Sequence, residues 1–386
     1  MLIKRSKIVS CSNCVMDSTD SAIVFDENGV CDHCNRFYKL FQKTWDSALN
    51  GSRIHEIKKI AKIIQKQKGN SLNKHNCLIG ISGGLDSSYM LHYLVTELGL
   101  RPLVFHIDTG WNTQASVSNI HNLVTKLDLD LHVEVINWEE MRALQLAFLK
   151  SGVSNIDVPQ DHALMAAIYH FADKNNVKFI FNGGNISTEG IQIPLEWMYY
   201  QSDVSQLRNI AKQYMEIPLK TYPISSVLNH KLNLRYRKGI QVIKVLDYIP
   251  YIKSEAIDVL KKSYDWQPVK NKHYESVFTR FYEGYWLPQR FNYDTRKVTF
   301  SSMILTGQMS REEALEILKE PALSKLESDK ECSYVAKKLR ISTEDLQHLK
   351  SIPIKTFRDF NNQNFLYNLG VRASALLKLD ISGVKR

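Results

Sequence analysis

Residues 77–88 read Cys-Leu-Ile-Gly-Ile-Ser-Gly-Gly-Leu-Asp-Ser-Ser and carry most of the information about the architecture of the chain. The apolar run 77–81 has the length of a buried parallel strand, and after Ser87 apolar residues return at helical spacing. A strand that turns through two glycines into a helix presents free backbone N–H groups, which form an anion cradle. The stretch therefore predicts a phosphate-binding loop at the end of the first sheet strand.

The side chains of this loop suit a nucleotide that carries a divalent cation. Asp86 would repel a bare phosphate, so its presence indicates a bridging Mg²⁺. The loop is not a Walker A motif, because the Gly-Lys-Ser/Thr ending is missing. A glycine-rich turn without a ligand is the alternative. The predicted nucleotide-binding residues of the loop are Ser82, Gly83, Gly84, Asp86, Ser87 and Ser88.

The loop resembles the signature of PP-loop ATP pyrophosphatases, Ser-Gly-Gly-x-Asp-Ser. These enzymes hold the β- and γ-phosphates of ATP, transfer AMP to a substrate oxygen and release pyrophosphate. The resemblance implies an adenine nucleotide α-hydrolase-like fold and the cofactors ATP and Mg²⁺.

Four of the six cysteines lie near the start of the chain, as Cys11-x-x-Cys14 and Cys31-x-x-Cys34. Two such pairs at this separation are the spacing of a tetrahedral zinc site with four thiolates. All four positions are then filled by protein, so the zinc is expected to be structural. A module this short cannot fold on a core of its own, and the metal would supply the missing free energy. Disulfides and an iron–sulfur cluster are the alternatives.

The composition is that of a globular protein without a membrane span. Of the 386 residues, 44% are hydrophobic and 23% charged, and no apolar run approaches the roughly 18 residues of a membrane helix. The N-terminus is basic but reaches Cys11 before any signal-like apolar core, so we expect a cytoplasmic protein. The net charge of +10 favours acidic partners such as nucleotides. The charge is not concentrated in one basic tail, and this distribution weakens the case for nucleic acid as the partner.

Strands and helices alternate through the first half of the chain. Further strand-like runs occur at 103–107, 131–136 and 178–181. This alternation predicts βαβ units and an α/β fold with a doubly wound parallel sheet. Ligands bind beyond the carboxyl ends of such strands, which adds Asp108, Gly183 and Gly184 to the predicted nucleotide site.

The alternation is expected to stop near residue 230, after which aromatic and basic residues dominate and the tail reads as helical. Ser310-x-x-Glu313 predicts a capping box at the start of one of these helices. We therefore predict three domains. They are a zinc-binding module at 1–50, a PP-loop ATP-binding domain at 51–230 and a mainly helical substrate or partner region at 231–386.

The whole chain resembles the N-acetyl sugar amidotransferase family, PP-loop enzymes of bacterial O-antigen and nonulosonic-acid sugar pathways. Two of the most specific stretches are Ser-Gly-Gly-Leu-Asp-Ser-Ser at 82–88 and Lys-His-Tyr-Glu-Ser-Val-Phe-Thr-Arg-Phe at 272–281. The others lie at 11–17, 138–148, 182–189 and 306–314. The resemblance implies ATP-dependent conversion of an acetamido group of a nucleotide-activated sugar into an acetamidino group. Thr109 and Asn182 depart from the family pattern, which puts substrate choice rather than chemistry in question.

The implied reaction needs ATP, because an amide carbonyl is a poor electrophile until its oxygen is adenylated. Ammonia then attacks the carbon of the O-adenylyl imidate, and AMP leaves. With Asp86, the predicted catalytic residues include the cations Lys272, His273 and Arg280, which we expect to approach the phosphates or the acidic sugar nucleotide. Glu275 is predicted to orient His273 or to accept a proton from ammonia. For the cations, a solvated surface position is the alternative.

The nitrogen source is expected to be a separate protein. Position 2 is Leu rather than the Cys of one glutaminase class, and no Gly-x-Cys-x-Gly motif of the other class occurs. The family resemblance implies a separate glutaminase and a cyclase-like barrel, both similar to imidazole glycerol phosphate synthase subunits.

A tRNA-modifying PP-loop enzyme, of the thiolase or lysidine-synthetase type, is the alternative function. Positive charge and a zinc module suit tRNA. Against it, a thiolase generally needs cysteines near the nucleotide site, and only Cys77 lies there. A non-catalytic zinc-dependent scaffold is a third interpretation, which the intact loop disfavours.

Overall fold

Five parallel strands form the centre of the computed structural model, which describes residues 8–66, 75 and 77–376. The strands are β1 (Leu78–Gly80), β2 (Leu103–Asp108), β3 (Leu131–Val135), β4 (Phe179–Asn182) and β5 (Gln241–Lys244). Their order in the sheet is β3-β2-β1-β4-β5, and all four pairings are parallel. The chain therefore changes direction across the sheet between β1 and β4, where open parallel sheets bind their ligands.

The predicted parallel α/β sheet is confirmed, and four of its strands lie within two residues of their predicted bounds. The fifth strand, β5, was not predicted and lies beyond residue 230, where the alternation was expected to stop. The sequence did not indicate this strand because it lies at the edge of the sheet. Only Ile243 of its four residues is buried, so the strand shows no apolar run.

Helices cover both faces of the sheet and make up most of the C-terminal region. In chain order they are α1 (Asp32–Leu40), α2 (Gln42–Leu49), α3 (Ile54–Lys66), α4 (Leu85–Thr96), α5 (Gln114–Lys126), α6 (Trp138–Ser151), α7 (Val158–Lys174), α8 (Ile186–Glu189), α9 (Val204–Tyr214), α10 (Lys253–Tyr264), α11 (Val277–Phe281), α12 (Leu287–Phe291), α13 (Arg296–Leu305), α14 (Arg311–Lys319), α15 (Lys325–Leu339), α16 (Thr343–Ser351) and α17 (Asn364–Leu376). Two π-helical turns, Asn229–Arg237 and Tyr282–Trp286, and two 3₁₀ turns, Val245–Asp247 and Phe357–Asp359, complete the elements. None of the helices in the described ranges is long and apolar enough to cross a membrane.

The C-terminal helices pack into the same cores as the sheet. On one face, Phe105 of β2 belongs to a buried cluster with Phe148 of α6 and Phe278 of α11. On the other face, Ile79 of β1 shares a cluster with Leu260 of α10. Helices of the C-terminal region therefore pack against both faces of the sheet. The domain boundaries at 50 and 230 stay a prediction.

Candidate active site and four-cysteine centre

The turn between β1 and α4 is shaped as an anion cradle. Gly84 occupies the N-cap of α4, so the first N–H groups of the helix face the turn. Gly83 has φ +79°, and a Cβ there would lie 2.4 Å from the carbonyl oxygen of Ser116. Only glycine fits this position. The hydroxyl of Ser87 accepts from the N–H of Ser82 at 3.3 Å, which closes the turn before any ligand binds.

A carboxylate from the C-terminal region lies against this cradle. The hydroxyl of Ser82 donates to Oε1 of Glu275 at 2.9 Å, and a Cβ on Gly84 would lie 2.5 Å from the same oxygen. The backbone holds this arrangement, because the N–H of Thr113 donates to the carbonyl of Glu275 at 3.0 Å. Glu275 therefore contacts the loop itself, and in the described part of the chain the hydrogen-bond partner of the His273 ring is Glu283 rather than Glu275.

Asp86 lies at the centre of a charged cluster. The ammonium of Lys272 donates to Oδ2 of Asp86 at 2.7 Å, to the hydroxyl of Thr188 at 2.7 Å and to Oε1 of Glu189 at 2.8 Å. The hydroxyl of Tyr251 donates to the other oxygen of Asp86. Burial alone would raise the pKa of the Asp86 carboxyl, but Lys272 and Tyr251 lower it, so the group is ionised. A cation bound here would share Asp86 with Lys272.

His273 follows Lys272 in an unusual backbone conformation, with φ +64°. Its Nδ1 lies 3.2 Å from Oε1 of Glu283, a residue that the sequence analysis did not single out. Arg280 lies elsewhere, because its guanidinium pairs with Glu331 of α15 at 2.5 Å. The expected approach of Arg280 to the phosphates is therefore not observed, whereas Lys272 and His273 both lie beside the loop.

Two further segments reach the same edge of the sheet. A Cβ on Gly183 would lie 3.2 Å from the backbone nitrogen of Ser87, so the loop after β4 packs on the start of α4. A Cβ on Gly184 would come within 2.9 Å of Oδ1 of Asn182. At the end of β2, Oδ1 of Asp108 accepts from the N–H of Gly110 at 2.7 Å. The predicted nucleotide-binding residues thus lie together at the carboxyl ends of the neighbouring strands β1, β2 and β4.

Sequence reasoning missed the residues that join this crevice to the C-terminal helices. Gln308 donates to the hydroxyl of Ser187 at 2.6 Å and accepts from the N–H of Lys253 at 2.9 Å. Burial lowers the pKa of Lys253, which the nearby Asp86 partly offsets. Gln308 belongs to the stretch 306–314, which drew attention only through the family resemblance.

The four cysteines of the N-terminal pairs converge on one point. Their sulfur atoms all lie within 4.8 Å of one another, and the four side chains are buried. The Sγ–Sγ distances are 3.9 Å for Cys11–Cys34, 3.6 Å for Cys14–Cys31 and 3.7 Å for Cys31–Cys34. Thiolates about 2.3 Å from one tetrahedral zinc would lie about 3.8 Å apart. The four-thiol donor set therefore has the chemistry and the spacing of a metal site.

Backbone N–H groups surround these sulfurs, and the C-terminal region clamps the centre. Sγ of Cys11 accepts from the N–H of Cys31 at 3.2 Å and from that of Cys14 at 3.4 Å. Hydrogen bonds from the other thiols lower the pKa of Cys11. Arg311 of α14 donates to the carbonyls of Cys11 at 2.8 Å and Cys14 at 3.0 Å. The first and last thirds of the chain thus meet at this centre.

A parallel sheet with a Ser-Gly-Gly-x-Asp-Ser cradle at its switch point is the architecture of a PP-loop domain. In agreement, residues 76–153 match the family model described as phosphoadenosine phosphosulfate reductase domain. Residues 275–374 match the model described as LPS biosynthesis protein WbpG-like, C-terminal domain. The chain therefore has a PP-loop domain followed by a WbpG-like C-terminal domain.

Three solved structures are similar to parts or most of the chain. NH3-dependent NAD synthetase from Campylobacter jejuni is 17% identical, with a TM-score of 0.27, and the match covers 55% of this chain and 93% of that one. NMN synthetase from Francisella tularensis is 12% identical, with a TM-score of 0.29 and coverage of 84% and 98%. The U34-tRNA thiolase NcsA from Methanococcus maripaludis, with its [4Fe-4S] cluster, is 14% identical, with a TM-score of 0.30 and coverage of 90% of each chain. Likeness of this degree carries no argument about function. No curated protein sequence matched the chain.

Proposed function

We propose that the protein is an AMP-forming amidotransferase that converts an acetamido group of a nucleotide-activated sugar into an acetamidino group for bacterial surface polysaccharide. One observation carries the proposal. Glu275, the first residue of the WbpG-like region, hydrogen-bonds to Ser82 of the PP-loop, so both families contribute to one crevice. The description of the C-terminal family supports a sugar of lipopolysaccharide synthesis as the substrate.

The reaction has two balanced steps. The amide oxygen of the sugar attacks the α-phosphorus of ATP, forming a C–O–P linkage and breaking the bond to pyrophosphate. Ammonia then attacks the imidate carbon, AMP departs with the former amide oxygen, and one proton is released. The loop N–H groups and Lys272 would stabilise charge that develops on the phosphates, and Mg²⁺ would add to this at Asp86.

The four-cysteine centre supports a structural role for one zinc ion. Its sulfurs are spaced for a single tetrahedral ion, whereas a cluster would have to fit several irons and sulfides between them. No ligand position would be left for substrate. The domain at 231–386 is then the substrate and partner region of the enzyme.

The tRNA thiolase alternative finds little support in the crevice. Cys77, which precedes β1, is buried, and burial raises its pKa to about 12. A thiol in that state is a poor nucleophile. Among the described residues, the other cysteines are the four of the metal centre and Cys332 on α15.

The products distinguish this proposal from other uses of ATP. With ATP, Mg²⁺, ammonium and a UDP-linked acetamido sugar, the enzyme should release AMP and pyrophosphate in equal amounts with an amidine product. Exchange of oxygen for NH is measured by high-resolution mass spectrometry, and omission of the sugar is the control. Stoichiometric ADP and phosphate would contradict the mechanism.

The nitrogen source gives a second prediction. Alone, the enzyme should use ammonium salts better as the pH rises, because free NH₃ is the nucleophile, and glutamine should fail. Glutamine should support turnover once a glutaminase and a cyclase-like barrel are added. Amidine formation is measured for each nitrogen source at matched concentrations. Consumption of glutamine by the single purified chain would refute this division of labour.

A further inference from the structure

Glu283 is a buried carboxylate whose two oxygens both have partners. It lies in the π-helical turn Tyr282–Trp286 and is only 8% exposed. One oxygen lies 3.2 Å from Nδ1 of His273, and the other accepts from the hydroxyl of Thr295 at 3.2 Å. Because a buried carboxylate is costly without such partners, the contact with His273 is part of how this turn is stabilised. Single π-turns of this kind occur frequently at functional sites.

The backbone conformation and the exposure of His273 are typical of a residue that takes part in binding or catalysis. Its φ of +64° is uncommon for a residue with a Cβ, and such strain persists where the surrounding structure enforces it. Its side chain is 45% exposed although it lies between charged groups of the crevice. Nε2 has no hydrogen-bond partner within the residues that the structure describes, so this nitrogen is accessible.

We propose that Glu283 is a positioning residue, which holds His273 so that its Nε2–H faces the phosphates of the nucleotide. The inference rests on the proposed function and deepens it. A carboxylate only accepts, so Nδ1 of His273 must carry a proton and donate it to Glu283. In the cationic form both ring nitrogens carry protons, so Nε2–H is then a second donor for the charge that develops on the leaving pyrophosphate.

The charges around His273 favour this cationic form. Partial removal from water lowers the pKa of His273 and so does Lys272, but Glu283 and Glu275 outweigh them and raise it to about 9. Asp86, whose own pKa is lowered in part by His273, adds a further negative charge. Because the pKa is raised, the imidazolium is present below about pH 9 in the native protein. Without Glu283 it should lose its proton nearer the ordinary pKa of 6.5.

Glu283→Gln tests the proposal through the titration of His273. Histidine C2-proton NMR should show the pKa of His273 falling from about 9 towards 6.5. The resonance is assigned by its absence in His273→Asn. The alkaline limb of kcat should move to lower pH by the same amount. At pH 8 kcat should fall about 10- to 100-fold, because most of His273 is protonated with a pKa of about 9 and only a few per cent with a pKa of 6.5. Glu283→Asp should restore part of both. Glu316→Gln, which removes an exposed carboxylate paired with Lys319, is the matched control and should change neither.

Two outcomes would overturn the inference. In the native protein, His273 titrating at its ordinary pKa would do so without any variant. A folded Glu283→Gln protein with unchanged titration and pH profile would show that Glu283 only stabilises the turn. Pyrophosphate added to the native protein should shift the His273 resonance, and the shift should be lost in Glu283→Gln. This binding readout survives even if no sugar amidine forms, so the two proposals fail separately.

Discussion

Replacing Lys272 with glutamine should lower the rate of AMP formation by about 100- to 1,000-fold, as loss of one charged donor at a developing anion does. Lys272 is the cation shared by Asp86, Glu189 and Thr188 at the edge of the cradle. Without the ammonium of Lys272, the negative charges of Asp86 and Glu189 would be left without this partner and would repel the phosphates. The rate is measured as pyrophosphate release at saturating ATP.

Lys270→Gln is the matched control for this variant. Lys270 lies two residues earlier and is 60% exposed, and its partner Glu327 is 3.8 Å away in the solvated surface. Such exposed pairs contribute little, so the rate and the melting temperature should stay near those of the native protein. Equal loss of rate in both variants, or a Lys272→Gln rate close to native, would contradict the assignment of Lys272.

Replacing Cys31 with serine should release the metal and unfold the N-terminal module. Apparent binding free energies of structural zinc are about 10–16 kcal/mol, so loss of one thiolate removes a large part of the stability there. The change is measured as zinc per chain and as the thermal unfolding transition. We expect about one zinc in the native protein and a separate transition at lower temperature in the variant.

Cys332→Ser is the control, since Cys332 is also buried but stands alone on α15. Its replacement should cost about 1 kcal/mol, the usual effect of a single core substitution, and leave the zinc content unchanged. A native protein that is metal-free and equally stable, or one with the visible absorption of an iron–sulfur cluster, would refute the zinc assignment.

The parts of the site that the sequence predicted are those written in contiguous residues. The cradle at 82–88 is a strand, two glycines and a helix start in order, and local rules recognise it. The cysteine pairs are local in the same sense. Tyr251, by contrast, donates to Asp86 although the two residues are 165 positions apart. Glu283 lies in a π-helical turn, whose spacing differs from that of an α-helix, and pairs with His273. No spacing rule indicates such partners.

Arg280 shows why charge alone misplaces a residue. Ser276 begins α11 by accepting from the N–H of Thr279 at 3.3 Å, so the chain forms a turn before it and a helix after it. Lys272 and Glu275 lie in this turn, beside the cradle. Arg280 lies one helical turn further on and meets Glu331 instead. The sequence showed the cations but not the change of direction between them.

The clamp of Arg311 on Cys11 also orders events during synthesis. The two residues are 300 positions apart, so at a translation rate of about 5–20 residues per second Arg311 emerges roughly 15–60 s after Cys11. During that interval the four thiols are accessible to metal and to oxidants alike. Metal can therefore bind to the nascent chain before the C-terminal helices close over the centre. In a zinc-starved cell, the four-cysteine centre would then fail to bind metal during synthesis, before the enzyme is complete.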